Sequence, residues 1–321
     1  MSSTCSDGRI VANLRHAGPV RTRAYRPRGR LDVDRTLAPF VRGSGDPTSS
    51  RRRDGWWFAW TSPEGPVTLH LADDGGEVAA EAWGPGERWM LEQVPDLLGE
   101  RDDPNGFTPH HDLVARAWPE LSTWRVPANG LVAQMLVCSV LEQKVTGREA
   151  FSSQRQLVRR FGSPAPGPGE ELGLVCPPSS AGWARIPSWA WLRAGVDGSR
   201  SRTVVGAMRV AGRLDECARL PLAEARARLR SLPGVGVWTV AEVAQRALGD
   251  PDSPSFGDYH VAKDVTLALD GEIGDDARMA ELLAPYAGQR YRAQRVITLA
   301  AGQRPRRGPR RSLPGHLPTR W

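Results

Sequence analysis

Leu220-Pro-Leu-Ala-Glu-Ala-Arg-Ala-Arg-Leu-Arg-Ser-Leu232, Pro233-Gly-Val-Gly236 and Val237-Trp-Thr-Val-Ala-Glu-Val-Ala-Gln-Arg-Ala-Leu-Gly249 run consecutively, and Gly257-Asp-Tyr-His260 follows after a short loop. Leu222, Ala225, Leu229 and Leu232 recur at helical spacing, while Arg226, Arg228 and Arg230 fall largely on other faces. Pro233 stops that helix, and Gly234 and Gly236 permit backbone angles that a side chain resists. A second helix restarts near Val237, with Val240, Val243, Ala244 and Ala247 on one stripe and Gly249 just past its end. The segment 221–249 therefore reads as a helical hairpin. The unpaired N–H groups that open its second helix suit an anion. With a net charge of +7 and a pI near 9.8, the anion to expect is a nucleic-acid phosphate.

Asp258 follows Ser-Pro-Ser-Phe-Gly and precedes an apolar-periodic segment of Val261, Val265, Leu267 and Leu269. That is an N-cap pattern, in which backbone N–H groups and the helix dipole favour an ionised carboxylate. Taken alone, an Asp at a helix start is usually just a cap; the hairpin upstream gives it a second meaning.

Leu232-Pro-Gly-Val-Gly-Val-Trp-Thr239 followed by Gly257-Asp258-Tyr259 resembles the helix-hairpin-helix, Gly/Pro-rich loop and catalytic Asp of the DNA base-excision glycosylase superfamily. It is most similar to the bacterial 3-methyladenine DNA glycosylase II branch. The resemblance runs from about Leu31 to the tail and is faint before residue 120. It implies that Asp258 is the catalytic carboxylate, which stabilises an oxocarbenium-like sugar and orients or deprotonates water. Gly234, Gly236 and Thr239 are implied to grip phosphate.

In Leu141-Glu-Gln-Lys-Val-Thr146, the same resemblance places Gln143 in the gap left by an extruded nucleotide and Lys144 at the wedge position, which is apolar in the bacterial relative. Thr146, three residues before Glu149, has capping-box spacing, which is also an ordinary helix restart. Trp238 stands where the family has an aromatic residue or a lysine. Trp238, Glu242 and Tyr259 are its candidate pocket residues, although the bacterial relative is aromatic at the Glu242 position. An indole cannot attack a sugar as an amine does, so a monofunctional enzyme acting on an alkylated purine is expected. An oxidised-guanine glycosylase and a catalytically inactive hairpin DNA-binding protein are the alternatives. Relatives often hold a monovalent cation on the hairpin carbonyls; no other cofactor is implied.

The remaining chain sets the frame. Its 321 residues, 40% hydrophobic, suffice for sizeable cores. Cys5, Cys138, Cys176 and Cys217 lie too far apart for a disulfide scaffold, a zinc site or an iron–sulfur cluster. No run spans a bilayer and no secretory signal is recognised, so the expectation is a cytoplasmic, nucleoid-associated monomer bound to double-stranded DNA.

The fold class expected is α+β: a mostly helical glycosylase core preceded by a small antiparallel β-rich domain. Residues 1–30 read as a loosely ordered basic tail, 31–100 as the β-rich domain, 101–302 as the all-α domain and 303–321 as a second basic tail. Trp56–Trp60, Val67–Leu71 and Glu77–Trp83 read as strands, with the tryptophans more in keeping with core than with base stacking. Pro164-Ala-Pro-Gly-Pro-Gly169 reads as a rigid, exposed connector, and 200–214 as an amphipathic segment packed behind the hairpin.

Overall fold

A computed structural model describes residues 20–302; residues 1–19 and 303–321 of the expected basic tails lie outside them. Five antiparallel strands form the front of the molecule: β1 Arg21–Tyr25, β2 Ser49–Arg52, β3 Gly55–Ser62, β4 Gly65–Asp73 and β5 Val78–Trp83, in the order β1-β5-β4-β3-β2. The expected tail boundary at residue 30 is thus too late. Arg21–Tyr25 pairs along β5, and Arg21 and Arg26 meet Glu87 and Glu77 at 2.7 Å. Its arginines hide the strand from a charge-based reading, because only Tyr25 turns inward.

The sheet is covered on both faces, as the uninterrupted apolar run of β3 requires. Trp56, Phe58, Trp60, Leu69 and Leu71 join the principal core, whereas Trp57, Ala59 and Trp83 pack against Ala165, Leu174 and Cys176 on the other face. The three tryptophans of β3 are all buried. The segment expected to be an exposed connector supplies that second cover. Ser163–Pro164 pairs with Val175–Cys176, Ala165 is buried, and the backbone at Gly167 comes so close to Trp83 that an added Cβ would lie 2.7 Å from its ring. Proline and glycine serve close approach here, not solvent exposure.

Behind the sheet the chain is helical. One core joins the sheet to the helices Glu87–Leu97, Val132–Leu141, Gly198–Met208 and the hairpin pair Leu222–Arg230 and Val237–Val243. A second core is built from Asp112–Leu121, Val261–Asp270, Asp276–Leu283 and Arg290–Ala301, around Phe107, Val114, Val265, Met279 and Ile297. The chain visits the second core first at residues 107–121, returns to the first, and re-enters the second through residues 249–260. The amphipathic segment expected over 200–214 forms two helices, Gly198–Met208 and Ala211–Asp215, separated at Arg209–Val210. Among the described residues no helix is long and apolar enough to cross a membrane.

Candidate active site

The hairpin turn is packed from behind. Gly234 has φ +82°, and a Cβ there would lie 2.1 Å from Oγ1 of Thr203, so both conformation and space demand glycine. Gly236 is extended and caps Val237–Val243 without a side-chain hydrogen bond. The helix then widens into a π turn over Ala244–Leu248 and ends at Gly249 in the left-handed region.

Residues 250–257 are held by buried polar side chains. Asp250 accepts from Arg226 Nη1 at 2.7 Å and Ser253 Oγ at 2.6 Å. Gln245 Nε2 donates to Ser253 O at 2.7 Å and Ser255 Oγ at 3.1 Å. Gln294 Oε1, from the last helix, accepts the Ser255 amide at 2.8 Å. Both hairpin helices and the last helix thereby fix the loop that delivers Asp258.

Asp258 lies two residues before the expected helix boundary is met: the helix begins at Val261. The carboxylate caps it all the same, Oδ1 accepting from the amides of His260 at 2.8 Å and Val261 at 3.0 Å. Oδ2 accepts the Trp238 indole N–H at 3.2 Å. Asp258 and Trp238 are both half-buried, while Tyr259 beside them is 68% exposed, with the Lys263 ammonium 3.6 Å from its ring centroid. The side chain is therefore fixed by three N–H donors yet reachable from solvent, and Oδ2 keeps acceptor capacity for a water molecule.

Two expected site residues are elsewhere. Glu242 is buried and its carboxylate is engaged inside the protein: Oε2 pairs with Arg246 Nη1 at 2.6 Å and Oε1 accepts Ser255 Oγ at 2.7 Å. An i,i+4 Arg partner and a loop hydroxyl satisfy it, which is what keeps a carboxylate inside. Thr239 is also buried, and its hydroxyl accepts Gln143 Nε2 at 2.8 Å, so it meets Gln143 instead of a phosphate.

Gln143 reaches the hairpin a second time, donating to Gly234 O at 3.0 Å. Lys144, next to it, is fully exposed and has φ +55°, the one positive φ outside glycine among the described residues. Thr146 closes a reciprocal capping box with Glu149, the Glu149 carboxylate accepting the Thr146 amide at 2.9 Å. From below, the buried Arg200 donates to Leu141 O at 2.8 Å. The Gln143–Lys144 turn is thus clamped at both ends and by the hairpin.

At the turn, one carbonyl that the expected monovalent cation would need already carries a like charge. Leu232 O accepts the Val235 amide at 3.1 Å, Gly234 O accepts Gln143, and Val235 O accepts Arg230 Nη1 at 2.6 Å.

Solved structures share this architecture over nearly its whole length. A 3-methyladenine DNA glycosylase from Archaeoglobus fulgidus superposes with a TM-score of 0.70 at 17% identity, covering 86% of this chain and 97% of its own. MBOgg1, solved with a low-affinity DNA ligand, gives 0.65 at 14%, covering 87% and 95%. The fold is that of the helix-hairpin-helix DNA glycosylases. An 8-oxoguanine glycosylase/lyase from Clostridium acetobutylicum, bound to duplex DNA, gives 0.60 at 10%, covering 83% and 90%. No family model and no curated protein matches the chain.

Within this glycosylase fold, several positioning residues escape sequence reasoning. Arg200, Arg226, Gln245 and Gln294 sit among many similar side chains, and only long-range packing selects them. The i,i+4 spacing of Glu242 and Arg246 was a usable local signal for their pairing.

Proposed function

We propose that this chain is a DNA glycosylase that extrudes a damaged purine, with an alkylated base first in expectation, and hydrolyses its N-glycosidic bond. The observation that carries this reading is the Asp258 carboxylate, oriented by Trp238 and two helix amides yet open to solvent. Scission leaves positive charge on the sugar, and a fixed anion stabilises that charge without reorganising. The same carboxylate accepts a proton from the attacking water, whose oxygen bonds to C1′ as the base departs.

Extrusion costs a few kcal/mol of stacking and pairing. Gln143 is proposed to occupy the vacated space, exchanging its bonds to Gly234 and Thr239 for bonds to the orphaned base, while Lys144 enters the stack with its methylene stem. Gly234 and Gly236 approach phosphate through their backbone. Trp238 and the exposed Tyr259 supply aromatic faces for an electron-poor base, and Glu242 is withdrawn from that pocket. Trp238 brings no amine to the sugar. The chain has two lysines, Lys144 on the turn and Lys263 on the face of Tyr259. Simple hydrolysis to an abasic site is therefore the proposed outcome.

Release of 3-methyladenine, 7-methylguanine and 8-oxoguanine from defined duplexes tests the assignment. Alkylpurine release that is lost in Asp258→Asn, with duplex binding retained, is expected. Release of 8-oxoguanine alone moves the substrate class, and binding without release of any base leaves a DNA-binding protein. A covalent complex trapped by borohydride excludes the hydrolytic mechanism.

A further inference from the structure

Arg230 lies in the last turn of the first hairpin helix. Its neighbours on that helix have acidic partners: Arg226 meets Asp250 and Arg228 meets Glu216, each at 2.7 Å. Arg230 has no ion pair among the described residues. Its Nη1 donates to Val235 O at 2.6 Å, inside the turn, and lies 4.0 Å from the point where a Cβ on Gly236 would stand. A full positive charge is therefore anchored at the glycine turn by a backbone carbonyl, with no acidic partner among the described residues.

An alkali ion bridging this turn to DNA would need several carbonyl oxygens converging on one point. Val235 O, on this turn, already accepts from a guanidinium, so an alkali ion placed there meets a like charge at short range, while Leu232 O and Gly234 O each hold one neutral donor. We propose that Arg230 is the resident cation of the hairpin: it takes the place of a bound alkali ion on the Val235 carbonyl and presents its remaining N–H groups to a DNA phosphate. A guanidinium suits this because its five donors lie in a planar fork, so one edge can hold a carbonyl while another meets a phosphate. The inference rests on the duplex-binding half of the function proposed above and not on base release.

The two cation sources differ in a measurable way. Coordination depends on which alkali ion is present, whereas a guanidinium responds only to ionic strength. Fluorescence anisotropy of the full chain on a duplex carrying a tetrahydrofuran abasic analogue, in NaCl, KCl and tetramethylammonium chloride at matched ionic strength, separates them. Wild-type affinity is expected to agree across the three salts within about twofold. Arg230→Met, which keeps the stem, is expected to weaken binding by roughly three- to tenfold and to lower the slope of log K against log salt by about one. Tighter wild-type binding in sodium or potassium than in tetramethylammonium overturns the proposal, as does an Arg230→Met protein with an unchanged slope. The wild-type series stands whether or not the variant folds. Absence of base release with these binding results intact removes the enzyme reading alone; absence of duplex binding in every salt removes both.

Discussion

Asp258 holds its two oxygens by different means: Oδ1 is committed to the start of its own helix, and Oδ2 is held by an indole from the hairpin. Replacing Trp238 by Phe removes only the second bond and keeps most of the ring. Single-turnover base release is expected to fall about tenfold, the equivalent of ~1.4 kcal/mol, with thermal stability nearly unchanged. Lys144 offers a complementary case. Its left-handed backbone costs a non-glycine residue about 1–2 kcal/mol, part of which Lys144→Gly recovers against the greater freedom of glycine in the unfolded chain. Lys144→Gly should therefore melt no lower than wild type while binding duplex more weakly, seen by calorimetry and anisotropy together. The glycine turn at Gly234 and the capping by Asp258 were legible because turn glycines and a loop carboxylate leave local signatures. Glu242 and Thr239 were not, since the direction in which a helical side chain points is settled by packing partners remote in sequence.

The loop over 250–257 carries polar side chains into the interior, and its stability should be electrostatic in a way that can be titrated. Burial opposes the charge on Arg246, but Glu242 and Glu142 outweigh it and its pKa is raised. Truncating Glu242 to Ala leaves that guanidinium buried without its nearest anion and should cost about 3–5 kcal/mol in urea denaturation. At Asp252, burial pushes the carboxyl up, and the Arg290 guanidinium and amide outweigh it, so its pKa is lowered. A carboxyl with a depressed folded-state pKa stabilises the protein above its unfolded pKa of about 3.9 and ceases to do so as pH falls through the lower folded value. Asp252→Asn should therefore be less stable than wild type at pH 7, and the difference should vanish in strong acid. None of these loop bonds follows from the Pro/Ser/Gly composition of the segment, which reads only as a turn.

Across the whole molecule, the β-rich front and the first helical lobe share one hydrocarbon interior, from Tyr25 to Leu248. The strands were legible from their alternating and clustered aromatics, but that sharing was not, because periodicity reports which face is apolar and not what covers it. Phe58→Ala should cost about 3–5 kcal/mol and lower the helical far-ultraviolet transition along with the near-ultraviolet tryptophan signal, showing that sheet and helices melt together. The second helical lobe has its own interior, which the chain first enters at residues 107–121 and re-enters through the loop that carries Asp258. The indole belongs to a helix of one lobe and the carboxylate caps a helix of the other, so their single hydrogen bond crosses the seam between two packed bodies. The proposed hydrolysis consumes one water molecule for each base released, and a reagent of that kind is best stored where two solids meet. At such a boundary bulk solvent can refill the spent position after every turnover, without any rearrangement of the oily masses on either side.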